Sequence, residues 1–135
     1  MTFKKIMIAT DGSENAEKAA KVGIDLAKSV GGKVIAVYVM DERLMQPYDV
    51  MEDEGKNALK RIQKIGRKKN VVVDEILILG NPIEDLPKIA NKVNADIVVL
   101  ASQSKGKFER IILGSTTKSM LENCNVPLLI TPQKY

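Results

Sequence analysis

The chain has 135 residues, 44% hydrophobic and 28% charged, with a net charge of +4, one cysteine, no tryptophan and no histidine. That length predicts one domain over residues 1–135, with the balance of a soluble globular fold that buries roughly two-thirds of its unfolded surface. Ser-His and Cys-His nucleophile pairs, His-rich and Cys-rich metal sites and an intrachain disulfide are excluded.

Residues 6–10 run apolar up to Thr10 and are followed by Asp11-Gly12-Ser13, the pattern of a buried strand that ends in a turn. Residues 13–30 put Ala16, Ala19, Ala20, Gly23, Leu26, Ala27 and Val30 on one face, an amphipathic helix whose small residues allow close packing on a sheet. Ser13 can cap its start and Gly31-Gly32 ends it. Residues 34–39 read as a second strand, and residues 51–69 as a second helix with Met51, Ala58, Leu59, Ile62 and Ile65 inward. Val72, Val73 and residues 76–79 mark a third strand, stopped by Gly80. Asn81-Pro82 opens a third helix with Leu86, Ile89, Ala90 and Val93 inward. Pro87 is tolerable there if the helix proper begins a few residues after Pro82, so that the missing N–H belongs to the first turn. Residues 97–101 form the most clearly buried strand. Gly114-Ser115 leads into a fourth helix that ends near Cys124, and residues 126–131 are a last strand, with Pro127 pointing to an edge or first-residue position. Strand–helix alternation throughout predicts an α/β sandwich with a mainly parallel sheet.

Seven basic and no acidic residues lie from Lys56 to Lys69, with Lys56, Lys60, Lys64 and Lys68 at i, i+4 spacing. A patch for nucleic acid or anionic membrane is one reading. A solvated helix face is preferred, because Asp49, Glu52, Asp53 and Glu54 precede the run and leave a dipolar helix whose charges suit its macrodipole. Two Phe and three Tyr give little for stacking bases, so nucleic acid is not an expected partner. No run reaches the roughly 20 apolar residues of a membrane span. The stretch at 6–10 is too short for a signal-peptide core, so a cytoplasmic location is expected. Cys124 reads as a small packed hydrophobe beside Met120 and Leu121. Met40, Met45 and Met51 read as cover over an edge of the core, or as a binding lip.

In open parallel sheets, ligands bind at the carboxyl ends of the strands, where strand order reverses. The candidates are therefore Thr10, Asp11, Gly12 and Ser13 after the first strand, and Ser102, Gln103, Ser104, Lys105 and Gly106 after the fourth. Gly114-Ser115-Thr116-Thr117 offers a helix start with free N–H groups, a plausible phosphate seat. Plainer readings exist for each: a turn with a helix cap, an ordinary helix start, and solvated loop charges at Lys105, Lys107 and Arg110.

These residues resemble the universal stress protein family over essentially the whole length. The resemblance is carried by residues 5–13, by residues 34–39 with Met40-Asp41, and by Gly80-Asn81-Pro82. It continues through Ile89-Ala90, residues 95–98, residues 112–115 and residues 126–129. It implies a three-layer, Rossmann-like sandwich, a five-stranded parallel sheet in order 3-2-1-4-5 with two helices on each face. Nucleotide-binding members carry Gly-x2-Gly-x9-Gly-Ser/Thr. Here those positions read Ala101, Ser104, Gly114 and Ser115, so the second half is kept and both glycines of the first half are replaced.

The resemblance implies that Thr10 and Asp11 sit near the ribose and phosphates of ATP, or near a Mg2+ that accompanies it. It implies that Val39 meets the adenine through its backbone, that Leu100 and Ala101 line the ribose side, and that Gly114, Ser115 and Thr116 hold phosphate. At Ser104 a Cβ stands where glycine lets the backbone approach, while the hydroxyl can itself donate to phosphate. The family also implies a homodimer through antiparallel pairing of residues 126–131, which suits an apolar terminal strand with an open edge. The expectation is a small stress-response protein that binds ATP or a related nucleotide. The alternative is a dimeric module that binds none and acts through protein contacts. A slow ATPase ranks last, because no paired base or second metal-ligand cluster is found.

Overall fold

The computed structural model describes residues 2–102 and 114–132. In chain order these form β1 (Lys5–Ala9), α1 (Glu14–Val30), β2 (Lys33–Asp41), a 3-10 turn (Glu42–Leu44), α2 (Tyr48–Lys68), β3 (Val73–Gly80), α3 (Pro82–Lys92), β4 (Ile97–Ala101), α4 (Ser115–Asn123) and β5 (Leu128–Thr131). The strands make one sheet in order β3-β2-β1-β4-β5, and every pairing is parallel.

Alternation along each strand builds the layers, because successive side chains leave opposite faces. Ile6, Ile8, Val34, Ala36, Tyr38 and Val99 pack with α1 and α2. Met7, Ile35, Val37, Val39, Val98 and Leu100 pack with α3 and α4. A sheet covered on both faces accounts for strands that are apolar at consecutive positions. Helix α1 lies close on the sheet through its small residues: a Cβ at Gly23 would stand 2.7 Å from Ile8 Cδ1. Ser13 caps α1 by accepting the Ala16 amide, and Gly31 ends it in the left-handed region at φ +65. Ile24, which the inward stripe read from sequence omits, is fully buried, whereas Leu26 is half-buried.

The structure corrects the expectation for Pro87. Helix α3 begins at Pro82 itself, capped by Asn81, so Pro87 lies inside the helix and not in its first turn. Its missing N–H leaves the Ile83 carbonyl without an i+4 donor. The Ser119 hydroxyl of α4 supplies that donor instead, 2.5 Å from Ile83 O. The defect in one helix therefore becomes a fastening point for the next.

At the amino edge of the sheet, lysines meet helix carboxyl ends. Lys4 Nζ donates to Val30 O, and Lys5 Nζ donates to Val93 O. Asp96 accepts the Lys4 and Lys5 amides. The cations there offset the negative ends of α1 and α3. The lysine run of α2 faces solvent, with Lys56 on Glu52 at 3.2 Å and Lys69 on Asp25 at 3.4 Å. Surface pairs of this kind contribute little. No helix among the described residues is long and apolar enough to cross a membrane.

Candidate functional site

Strand order reverses between β1 and β4, which are neighbours although α1, β2, α2, β3 and α3 separate them in sequence. A cleft of about 520 Å³ opens at their carboxyl ends, within the 300–1,000 Å³ usual for small-ligand sites.

The β1 side is a rigid turn. Thr10 donates its amide to Val37 O at 3.0 Å, and its Oγ1 accepts the Gly12 amide at 3.0 Å. Asp11 Oδ1 accepts the Ser13 amide at 2.9 Å. Gly12 has φ +82, a left-handed conformation that glycine adopts without strain. Arg61 of α2 donates to the Gly12 carbonyl at 3.2 Å and pairs with Glu17 of α1 at 3.4 Å, so both helices hold the turn in place. Asp11 commits one oxygen to the turn, and its second has no hydrogen-bond partner among the described residues.

Strand β2 and the 3-10 turn after it contribute Val39, 8% exposed, and two groups that sequence reading did not single out as site residues. Asp41 caps the 3-10 turn by accepting the Arg43 amide, while Arg43 Nε and Nη2 bind its two oxygens at 2.9 and 2.7 Å. These hydrogen bonds hold the Asp41 carboxyl below its ordinary value, and the same contact raises Arg43. Both side chains line the cleft, with Pro82 and Leu86 of α3 beside them as apolar wall. The available signal was an aspartate at the end of a strand two residues before an arginine, the spacing of a local cap.

On the other side, Leu100 is 5% exposed and Ala101 is half-buried. Ala101 packs against the cluster under α1 and α2, so its methyl group joins the core. Ser102 continues the ladder by donating its amide to Thr131 O at 2.9 Å. It is 3% exposed, and its Oγ has no hydrogen-bond partner among the described residues.

Helix α4 begins at Gly114, an N-cap with no side-chain hydrogen bond, and its first turn carries no acidic residue. The first amides of a helix lack intrahelical acceptors, and those of Ser115, Thr116 and Thr117 have no acceptor among the described residues, so they can take an anion. Thr10, Asp11, Val39, Leu100, Ala101, Gly114, Ser115 and Thr116 all line this one cleft. Ser104, with Gln103, Lys105, Lys107 and Arg110, lies outside the described residues.

Among the described residues no group of three or more His, Cys, Asp or Glu side chains is arranged to hold a metal ion. Asp11 therefore offers a cation one carboxylate. That suits Mg2+ carried on a phosphate chain, because this ion keeps several waters and takes only one or two protein carboxylates.

The family model for universal stress proteins matches residues 2–132. A universal stress protein of Methanocaldococcus jannaschii is 31% identical, over 95% of this chain and 81% of the relative. The solved structure of a second universal stress protein of that organism superposes with a TM-score of 0.78 at 30% identity, covering 100% of this chain and 99% of that one. A universal stress protein from Archaeoglobus fulgidus, solved in complex with dAMP, shares the fold at 22% identity. Its TM-score is 0.74, over 96% of this chain and 98% of that one. The chain belongs to the universal stress protein family.

Proposed function

We propose that the cleft binds an adenine nucleotide, with ATP and its Mg2+ the first candidate, and that the protein acts in the stress response through that binding, with at most slow hydrolysis. The observation that carries the reading is the uncapped, acid-free start of α4 across one cleft from the Thr10–Ser13 turn. Amides and a positive dipole end suit phosphate without histidine or a cysteine cluster. The dAMP complex of the Archaeoglobus fulgidus relative supports the same class of ligand.

In this reading the Ser115 and Thr116 amides take phosphate, beside Gly114, and Thr10 and Asp11 face the ribose and phosphates. Leu100 and Ala101 lie along the ribose, and Val39 meets the base through its main chain. Loss of the first family glycine is tolerated because the Ala101 methyl belongs to the core cluster. Ser104 offers a hydroxyl where the pattern has glycine. The unit of function is a cytoplasmic homodimer of one-domain chains, paired antiparallel through β5. The half-exposed Leu128, Leu129 and Ile130 and the open outer edge of that strand support the pairing.

Isothermal titration with ATP and MgCl2 tests the reading. Saturable heat at sub-millimolar ATP is expected. Its absence favours the module that acts through protein contacts alone, to which the replaced glycines at Ala101 and Ser104 also point.

A further inference from the structure

We propose that the Ser102 hydroxyl, which has no partner among the described residues, is a phosphate ligand of this cleft and turns to the nucleotide on binding. The inference rests on the nucleotide reading above and goes beyond its contacts.

Among the described residues, Ser102 Oγ is the only buried side-chain oxygen or nitrogen without a hydrogen bond. A buried hydroxyl in that state is costly, and a fold that needed only volume there would be served better by alanine. The backbone of Ser102 is fixed, because its amide is held by Thr131 O. Its freedom is therefore in χ1, which moves the hydroxyl between staggered positions.

Direction follows from the ladder. Val98 and Leu100 point into the cluster under α3 and α4, and Ser102 is next on that side of β4. It shares the cleft wall with Thr117, 4% exposed, from the first turn of α4. The unpartnered hydroxyl and the uncapped helix start are independent features that meet in one cleft. A hydroxyl donating to a phosphate oxygen forms a short, charge-assisted bond and adds to the α4 amides without adding charge.

The test uses Ser102→Ala and Ser102→Cys in the full chain, with thermal unfolding in the absence of nucleotide and titration with ATP–Mg2+. Adenosine binding is followed in parallel by ligand-observed NMR. Loss of one charge-assisted bond weakens ATP roughly tenfold in both variants. Adenosine binding stays unchanged, and the unfolding temperature of Ser102→Ala stays equal or rises. ATP affinity within twofold of wild type overturns the proposal, as does an equal loss for adenosine, which would place the hydroxyl on the nucleoside. A fall of several degrees in the ligand-free variant also overturns it, by showing that the hydroxyl has a structural partner. Wild-type protein that gives no heat with ATP condemns the nucleotide reading itself, whereas wild-type binding matched by Ser102→Ala condemns only Ser102.

Discussion

The bond between Ser119 and Ile83 gives a quantitative test of how α4, and with it the proposed phosphate seat, is positioned. Pro87 cannot donate to the Ile83 carbonyl, and the Ser119 hydroxyl takes that place from another helix. Ser119 is 9% exposed and its bond to Ile83 is partly buried, so Ser119→Ala leaves the Ile83 carbonyl without its donor. The cost is about 1–3 kcal/mol. Asn123 Nδ2 keeps its 3.0 Å bond to the Ser119 carbonyl and loses only the longer 3.3 Å contact to the hydroxyl, so the middle of that range is expected. At this chain length the loss lowers the unfolding temperature by roughly 5–10 °C. Pro87→Ala restores an amide that reaches Ile83 O within the helix. In that background Ser119→Ala should cost about 1 kcal/mol less, a coupling that a double-mutant cycle in urea reads directly. Additivity of the two substitutions to within about 0.5 kcal/mol would refute the reasoning, because the two donors would then not share one acceptor.

Gly114→Asp gives α4 a capping carboxylate at a backbone position any residue can adopt, φ −71 and ψ 171. It should raise stability by about 0.5–1 kcal/mol while weakening ATP at least tenfold, and a gain in both properties would remove the phosphate seat from α4. Burial, then the charges of Glu54 and Asp11, lifts the Tyr38 phenol above its ordinary 10.0. The fold favours the protonated phenol, so stability is intact below pH 10 and declines as pH rises from there through the raised value. Urea midpoints should therefore decline less steeply in Tyr38→Phe above pH 10, and identical slopes would refute this. Ile130→Lys on the outer strand should convert the proposed dimer to monomer in light scattering at tens of micromolar, whereas a monomeric wild type at that concentration removes the β5 interface.

Much of the architecture is legible because its signals are local or periodic. The apolar run at residues 97–101 is β4 as observed, and Ser13 and Gly31 bound α1 as read. Helix α2 starts three residues before Met51 because Tyr48 and Val50 are exposed, so its first turn carries no apolar periodicity to read. Strand β3 runs through Asp74 and Glu75, which an edge strand tolerates because solvent reaches them. Strand order brought Thr10, Val39, Ala101 and Ser115 to one edge, and the resemblance anticipated that order. Three features needed three dimensions. Ser119 meets Ile83 across 36 positions. Asp41 and Arg43 are two positions apart in sequence but become cleft wall only where β2 ends. Ser102 is a candidate in sequence by its place after the fourth strand, but only the fold shows that its buried hydroxyl lacks a partner among the described residues.

The central claim is that nucleotide phosphate rests on the open amides at the start of α4. Residue-resolved amide NMR, with the full chain titrated by ATP–Mg2+, tests it most directly. The Ser115, Thr116 and Thr117 amides are expected to shift and to saturate together with Val39, at one nucleotide per chain. Saturable ATP binding that leaves those three amides unmoved would contradict it.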